Sequence, residues 1–268
     1  NSSGMISTEG GSGGGASNMG MGSNPSYASL NSNSNGTSSG TASGGGSTAV
    51  SDSSSPTPAN ATKRIEEMFA NPIFSKVEVA IKGKRDNAAY EILTTEQSYC
   101  KSLTVLNELY RLPLLEACKK NLFPSVSEEL VTDIFSRFFV DISRVNFVLL
   151  QGLVERFGEW DDHQLLGDLL LDLLPFLKMY TMYTGNYERS MSALAELETL
   201  ATKEGSALQA FLGELNANPL KTVDLRSYLI MPIQRIPRYR LLLEELIKNT
   251  SAQHADYESL QKALRGLE

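Results

Sequence analysis

From Asp86 onward the sequence predicts an all-α domain, an elongated bundle of helices. Three observations point there. Apolar residues recur at helical spacing almost without interruption. No pair of strand-like runs and no fixed repeat period appears after residue 86. Two of the apolar stripes persist for about 25–30 residues, against a usual helix length of about 11–12. The chain before this point is of another kind. Residues 1–60 hold 18 Ser, 13 Gly, 7 Asn and 5 Thr, and no Phe, Trp, Lys or Arg. Such a segment buries too little apolar surface to offset the entropy of ordering its backbone, so a disordered low-complexity tail is expected. The remaining ~208 residues are ample for one core.

Residues 61–85 read as a linker with short local structure. KRIEEMFA (63–70) fits two helical turns that Asn71-Pro72 would end, and IFSKVEVAIK (73–82) alternates in part like a strand. The prolines of Ser55-Pro56 and Thr57-Pro58 read as linker punctuation rather than modification sites. The first long helix carries Ile92, Tyr99, Leu103, Leu106, Tyr110 and Leu114 on one face, with Pro113 expected to bend its end. Ser125 followed by Glu128 has the form of a capping box. It would open a second long helix with the stripe Leu130, Ile134, Phe138, Ile142, Val145, Leu149, Leu153 and Phe157, stopped by Gly158. A leucine-dense stretch from His163 to Leu174 breaks at Pro175. Further helices are expected over 176–183, 186–203 (ended by Gly205) and 206–215. Thr222 is the expected cap of a helix from Val223 to about Asn249, which must accommodate Pro232 and Pro237. Tyr257, Leu260, Leu264 and Leu267 begin a last amphipathic helix.

Composition excludes several chemistries. The chain carries a net charge of −7, and the part after the tail has 24 basic against 29 acidic side chains, a poor balance for wrapping nucleic acid or an anionic membrane. No window approaches ~18 apolar residues, and the N-terminus lacks the pattern of a signal peptide. Cys100 and Cys118 therefore read as reduced thiols of a cytoplasmic protein. His163 and His254 sit in no metal-ligand spacing, so neither a metal nor a cofactor is expected, and no phosphate loop or nucleophile elbow is present. Such a chain works through a surface.

Two segments offer one. In YEILTTEQSYCKSL (90–103), Glu91, Thr95, Ser98 and Ser102 make a polar stripe beside the apolar one, although spacing alone favours reading Glu91 as a solvated acid in the first helical turn. In LRSYLIMPIQRIPRYRLLLEELIKNT (225–250), Leu225, Leu229, Pro232, Ile236, Tyr239, Leu243 and Leu246 form a core face. Ile230, Gln234, Pro237 and Arg238 lie beside it. Arg226, Arg235, Arg238 and Arg240 fall within 225–240 with no acid among them. This is either a recognition surface or a charged face that keeps a bundle helix in water.

These two segments resemble the first and third signature regions of the Dbl-homology domain of Rho-family guanine nucleotide exchange factors. Glu91-Ile92-Leu93-Thr94-Thr95-Glu96 with Tyr99 and Leu103 follows the opening motif, continued by Tyr110 and Pro113-Leu114. Leu229-Ile230-Met231-Pro232-Ile233-Gln234-Arg235 with Arg238-Tyr239 and Leu241-Leu242-Leu243 follows the last motif. Ile134-Phe135 and the aromatic stretch Phe176, Tyr180, Tyr183, Asn186-Tyr187 are similar to the intervening regions. The resemblance spans about 86–268. It implies a six-helix elongated bundle that binds the switch segments of a Rho/Rac-type small GTPase and accelerates GDP release without covalent chemistry. It also implies that Glu91 engages the first switch and Arg238 the second. Ile230 would lie against a position that sets partner choice, leaning towards Rac-like partners with tryptophan there. Membrane contact would be indirect, through a pleckstrin-homology domain that usually follows. The sequence departs from the family at two points. Arg238 stands where Lys is usual, and a planar guanidinium is not a point-charge ammonium. The asparagine that the last helix normally supplies falls past Glu268. A helical interaction module of the same fold without exchange activity is the competing reading, and a basic-helix binder of phosphoinositide or RNA a third. The segment 61–85, adjacent in sequence, is expected to lie across the Glu91 face.

Overall fold

The computed structural model describes residues 57–161, 163–203 and 206–267. Residues 1–56 of the tail expected over 1–60, with Ser55-Pro56, and Gly205 lie outside them, whereas 58–60 belong to the first helix. The described residues contain eleven α-helices and no strand. All-α is thus what the chain adopts. Its long helices are divided where the hydrogen-bond ladder changes.

Helix α1 (Pro58–Phe69) starts with Pro58, whose missing N–H costs nothing at a helix start, and stops before Asn71-Pro72. The Asn71 side chain accepts from the Ile73 N–H at 3.1 Å and closes a 3-10 turn, Pro72–Phe74. In the stretch expected as a linker, Ala61 and Ile65 are fully buried. Arg64 donates from Nε to Glu108 Oε2 at 2.9 Å and from Nη2 to the Glu108 carbonyl at 3.0 Å. Residues 75–82 have neither helix nor strand, contrary to the alternation in their sequence. They run back along α2 (Lys84–Val105), where Gln97 donates to the carbonyls of Ile73 and Ser75 and the Tyr90 hydroxyl to that of Val77.

Helix α2 passes through a π-helical segment, Leu106–Arg111, into α3 (Leu112–Lys119). Pro113 follows this segment, and the change of ladder falls where its missing N–H would have interrupted an α pattern. The predicted stripe of Ile92, Tyr99, Leu103, Leu106, Tyr110 and Leu114 is buried throughout.

The expected second long helix is instead two. Its cap is Ser127, not Ser125: the Ser127 hydroxyl accepts from the Leu130 N–H at 3.1 Å and opens α4 (Glu128–Phe135). Val126 is buried, which draws the chain inward and leaves Ser127 as the extended residue that a cap requires. At Ser136 the backbone takes a φ of 58°, and α5 (Phe139–Gly158) begins after it. Beyond the break the buried position is Phe139 rather than Phe138. The periodicity carried no signal of this, because Phe135-Ser136-Arg137-Phe138 continues a helical stripe.

Helices α6 (Gly167–Leu173) and α7 (Leu177–Gly185) flank a 3-10 turn at Pro175, followed by α8 (Tyr187–Lys203) and α9 (Ser206–Asn216). The long α10 (Leu225–Lys248) is capped by Asp224, whose Oδ1 accepts from the Ser227 N–H at 2.7 Å. Thr222 is committed elsewhere, with its N–H donating to the Tyr228 hydroxyl. Both prolines remain inside α10. Near the first, the buried Tyr183 hydroxyl donates to the Leu229 carbonyl at 2.8 Å.

The closing helix α11 (Tyr257–Gly266) packs tightly on α6. Asp256, 1% exposed, accepts from the Leu166 and Gly167 N–H groups at 2.9 and 2.8 Å and so caps α6 from a distant region of the chain. Arg85 reaches the same carboxylate at 3.3 Å. A Cβ at Gly167 would lie 2.6 Å from the Ser259 Cβ and 2.8 Å from the Leu260 nitrogen. Gly167→Ala is therefore expected to destabilise the chain by about 1–3 kcal/mol, read as a lower urea midpoint at unchanged slope. Removing residues 1–85 strips Ile65 from the core and takes Arg64, its ion-pair partner, from the buried Glu108. The chain from Asp86 should lose at least about 3 kcal/mol against the full chain in the same measurement.

Candidate functional site

Helices α2 and α10 lie side by side and antiparallel, since Glu91 meets Arg238 and Glu96 meets Arg235. The seam has two layers. In the lower one Glu96 is fully buried and Arg235 is 5% exposed, and the two form an ion pair. The Tyr239 hydroxyl donates to Glu96 at 2.6 Å and lies 2.8 Å from the Asn146 Oδ1. The Asn146 amide in turn donates to the Tyr180 hydroxyl and the Ile142 carbonyl. The guanidinium carbon of Arg235 stands 4.3 Å from the Tyr239 ring centre and 5.0 Å from that of Tyr99. Burial works against the charge on Arg235, but the facing carboxylate and Tyr239 outweigh it and hold the guanidinium above its ordinary range. Burial pushes the Tyr99 and Tyr239 hydroxyls and the Cys100 thiol well up. Tyr239 therefore stays a donor and Cys100 is no nucleophile.

This placement corrects the sequence reading of Arg235 as part of an exposed basic face. The buried residues of α10 include Leu229, Pro232, Tyr239, Leu243 and Leu246 of the expected core face, and the face widens on one side to take in Tyr228, Arg235 and Leu242. Glu96 occupies the matching place on α2, between Leu93 and Cys100. The signal was present: an acid, Glu96, falls between Ile92 and Tyr99 of one apolar stripe, and a basic residue, Arg235, falls between Pro232 and Tyr239 of the other.

The upper layer holds the candidate residues. Arg238 Nη2 donates to Glu91 Oε1 at 2.7 Å, and both side chains are about half exposed. Gln234 and Pro237 are exposed, and Ile230 is partly buried. Leu241, 60% exposed, extends that stripe by one more turn. The sequence reading had placed it in the apolar run, although its spacing from Ile230, Gln234 and Pro237 puts it on their face. On α2, Thr95, Ser98 and Ser102 turn their hydroxyls back to carbonyls of their own helix. The segment 73–77 lies along the adjoining face, held by Tyr90 and Gln97, and leaves Glu91 half exposed. It does not lie across Glu91, because those two side chains fasten it to the neighbouring stripe.

The remaining arginines are also paired with acids: Arg226 with Glu198 at 2.6 Å and Arg240 with Glu244 at 2.9 Å. The face is thus charge-balanced rather than basic. Among the described residues no His, Cys, Asp and Glu cluster could hold a metal, and no helix is long and apolar enough to cross a membrane. The site offers one acid and one base within reach of each other, an apolar flank, and a rigid floor.

Comparison with known proteins places the domain that carries this surface. Residues 88–268 match the RhoGEF domain. The chain is 38% identical over 183 residues to the guanine exchange factor for Rac 30 of Dictyostelium discoideum, covering 68% of this chain and 10% of that protein. It is 34% identical over 176 residues to the human FYVE, RhoGEF and PH domain-containing protein 2, covering 65% of this chain and 26% of the relative. The chain thus spans about a quarter or less of these two relatives. Among solved structures, the crystal structure of the DH domain of FARP2 superposes with a TM-score of 0.56 at 29% identity, covering 71% of this chain and 87% of that one. From residue 88 onward, the chain belongs to the RhoGEF domain family.

Proposed function

We propose that this chain is a guanine nucleotide exchange factor for a Rho/Rac-type small GTPase and that the α2–α10 seam is its catalytic surface. The observation that carries the reading is the Glu91–Arg238 pair. It sits at half exposure beside Ile230, Gln234, Pro237 and Leu241, on two helices locked from beneath, in a domain of the RhoGEF family. A relative named for exchange on Rac supports a Rac-like partner, and Ile230 would be the residue that helps to choose it.

Exchange of this kind needs no bond-making step. The surface must bind the nucleotide-free GTPase more tightly than the loaded one, and by linkage nucleotide affinity falls by the same factor. Accelerating release about 1,000-fold takes about 4 kcal/mol of differential stabilisation, at ~1.4 kcal/mol per decade. Opening the Glu91–Arg238 pair costs little, because a solvent-exposed ion pair is worth ~0–1 kcal/mol. Each partner then becomes available to a switch segment. A charge-assisted hydrogen bond that Glu91 accepts from the first switch offers about 1.5–3 kcal/mol, and one that Arg238 donates to the second a comparable amount. The exposed Leu241 and Pro237 and the partly buried Ile230 supply apolar anchoring. The first switch is held away from the magnesium and the second is propped towards the phosphate site, which weakens metal and nucleotide together. The chain works in the cytoplasm on this reading, with membrane contact only through neighbouring modules.

Stopped-flow release of a fluorescent GDP from a panel of Rho-type GTPases tests this directly. Glu91→Ala and Arg238→Ala should each lower the stimulated rate at least about tenfold, the equivalent of one lost charge-assisted bond. Leu241→Glu should weaken GTPase binding without altering the melting temperature, since the side chain is already in water. Undiminished rates in both the Glu91 and Arg238 variants would overturn this assignment of the surface, whereas no acceleration by the parent chain on any GTPase of the panel would leave a helical interaction module without exchange activity as the better description.

A further inference from the structure

The surface pair does not by itself explain its own alignment. Glu91 and Arg238 are half exposed, and an ion pair in that setting is too weak to hold two long helices in one register. The apolar residues of the seam do not do it either. A stripe of Leu, Ile and Tyr at 3–4-residue spacing finds nearly equivalent packing after a slip of one turn or a modest rotation. The lower layer differs in kind. Glu96 lies about 7.5 Å along α2 from Glu91, and Arg235 about 4.5 Å along α10 from Arg238, at 1.5 Å per residue. Sliding either helix would pull the buried carboxylate and guanidinium away from each other, and each would be left without water or a partner. Rotation is resisted as well. The guanidinium stands close to the rings of Tyr99 and Tyr239, while the Glu96 carboxylate is held by the Tyr239 hydroxyl and, at 3.7 Å, by the Cys100 thiol.

We infer that Glu96 and Arg235 are positioning residues for exchange: their buried pair fixes the register and phase of α2 against α10, and thereby presents Glu91 and Arg238 side by side. The inference rests on the exchange reading of that surface. It has a physical corollary. A buried ion pair contributes little net stability compared with apolar residues of the same volume, whereas it specifies one geometry among several. Replacing both ions with apolar side chains should therefore spare the fold and damage the function.

The test uses the full chain and the fluorescent-GDP assay, with Glu91→Ala measured in three backgrounds: the parent, the double variant E96M/R235M, and Y239F. Near-UV circular dichroism reports whether each background is folded. In the parent, Glu91→Ala lowers the stimulated rate about tenfold. In folded E96M/R235M the stimulated rate is already low, and adding Glu91→Ala changes it by less than about twofold, because the misaligned carboxylate no longer contributes. A merely structural pair would leave the tenfold effect of Glu91→Ala intact in every molecule that folds, and that result overturns the inference. Should E96M/R235M fail to fold, Y239F decides, since it keeps both ions and removes the one hydroxyl that joins Glu96 to Asn146. An effect of Glu91→Ala reduced to about threefold or less supports the inference, and an undiminished effect overturns it. If Glu91→Ala is silent in the parent, the role given to Glu91 on the exchange surface falls and takes the positioning role with it, which is a different outcome from failure in the variant backgrounds alone.

Discussion

Across the seam between α2 and α10 a carboxylate and a guanidinium face each other where water does not reach. Either ion alone would cost several kcal/mol to keep there, and attraction between them offsets that only when the remaining hydrogen-bonding capacity is also met. Tyr239 and the rings on either side of Arg235 meet some of it. The result is a contact that tolerates one arrangement of the two helices, where apolar packing alone would tolerate several. The surface above it inherits that constraint. Glu91 and Arg238 sit close enough to pair with each other, yet remain wet enough to be drawn apart by a partner at little cost.

The same division of labour recurs elsewhere in the domain. Asp256 reaches the N-terminus of α6 from more than eighty residues away and takes Arg85 with it. Trp160 donates to Asp86 at 3.1 Å, and that carboxylate also accepts from the Lys82 and Gly83 N–H groups at the start of α2. Arg64 ties α1 to the π-helical segment through Glu108. In each case apolar stripes decide which face of a helix is buried, while a buried polar tie decides where along its length it docks. Binding sites that act by shape and charge rather than by covalent chemistry depend on the second kind of information.

Much of the candidate surface was readable in the chain as written. Glu91, Ile230, Gln234, Pro237 and Arg238 were singled out by spacing and by resemblance, and the structure brings Glu91 and Arg238 within hydrogen-bonding distance. Leu241 escaped because it lies in a run of three leucines, although its spacing from Gln234 and Pro237 sets it on their exposed face and apart from the buried Leu242 and Leu243. Arg235 was misread because a charged side chain beside an apolar stripe defaults to solvent, and its acid lies 139 residues away. The caps at Ser127 and Asp224 were each missed by two positions. Cap choice depends on which residue has extended backbone once its neighbours are buried, and several residues of suitable chemistry stood within reach.

By itself the sequence determined the all-α class, the buried face of the first long helix, the halt of α1 at Asn71-Pro72 and the pair of segments that make the surface. All of these follow from side-chain periodicity and backbone restrictions acting over a few residues. Only the tertiary structure decided the break at Ser136, the docking of 58–82 along α2, and the antiparallel register that joins Glu96 to Arg235. Those depend on the balance between desolvating a polar group and finding its partner in a distant region of the chain, and no local pattern encodes that balance.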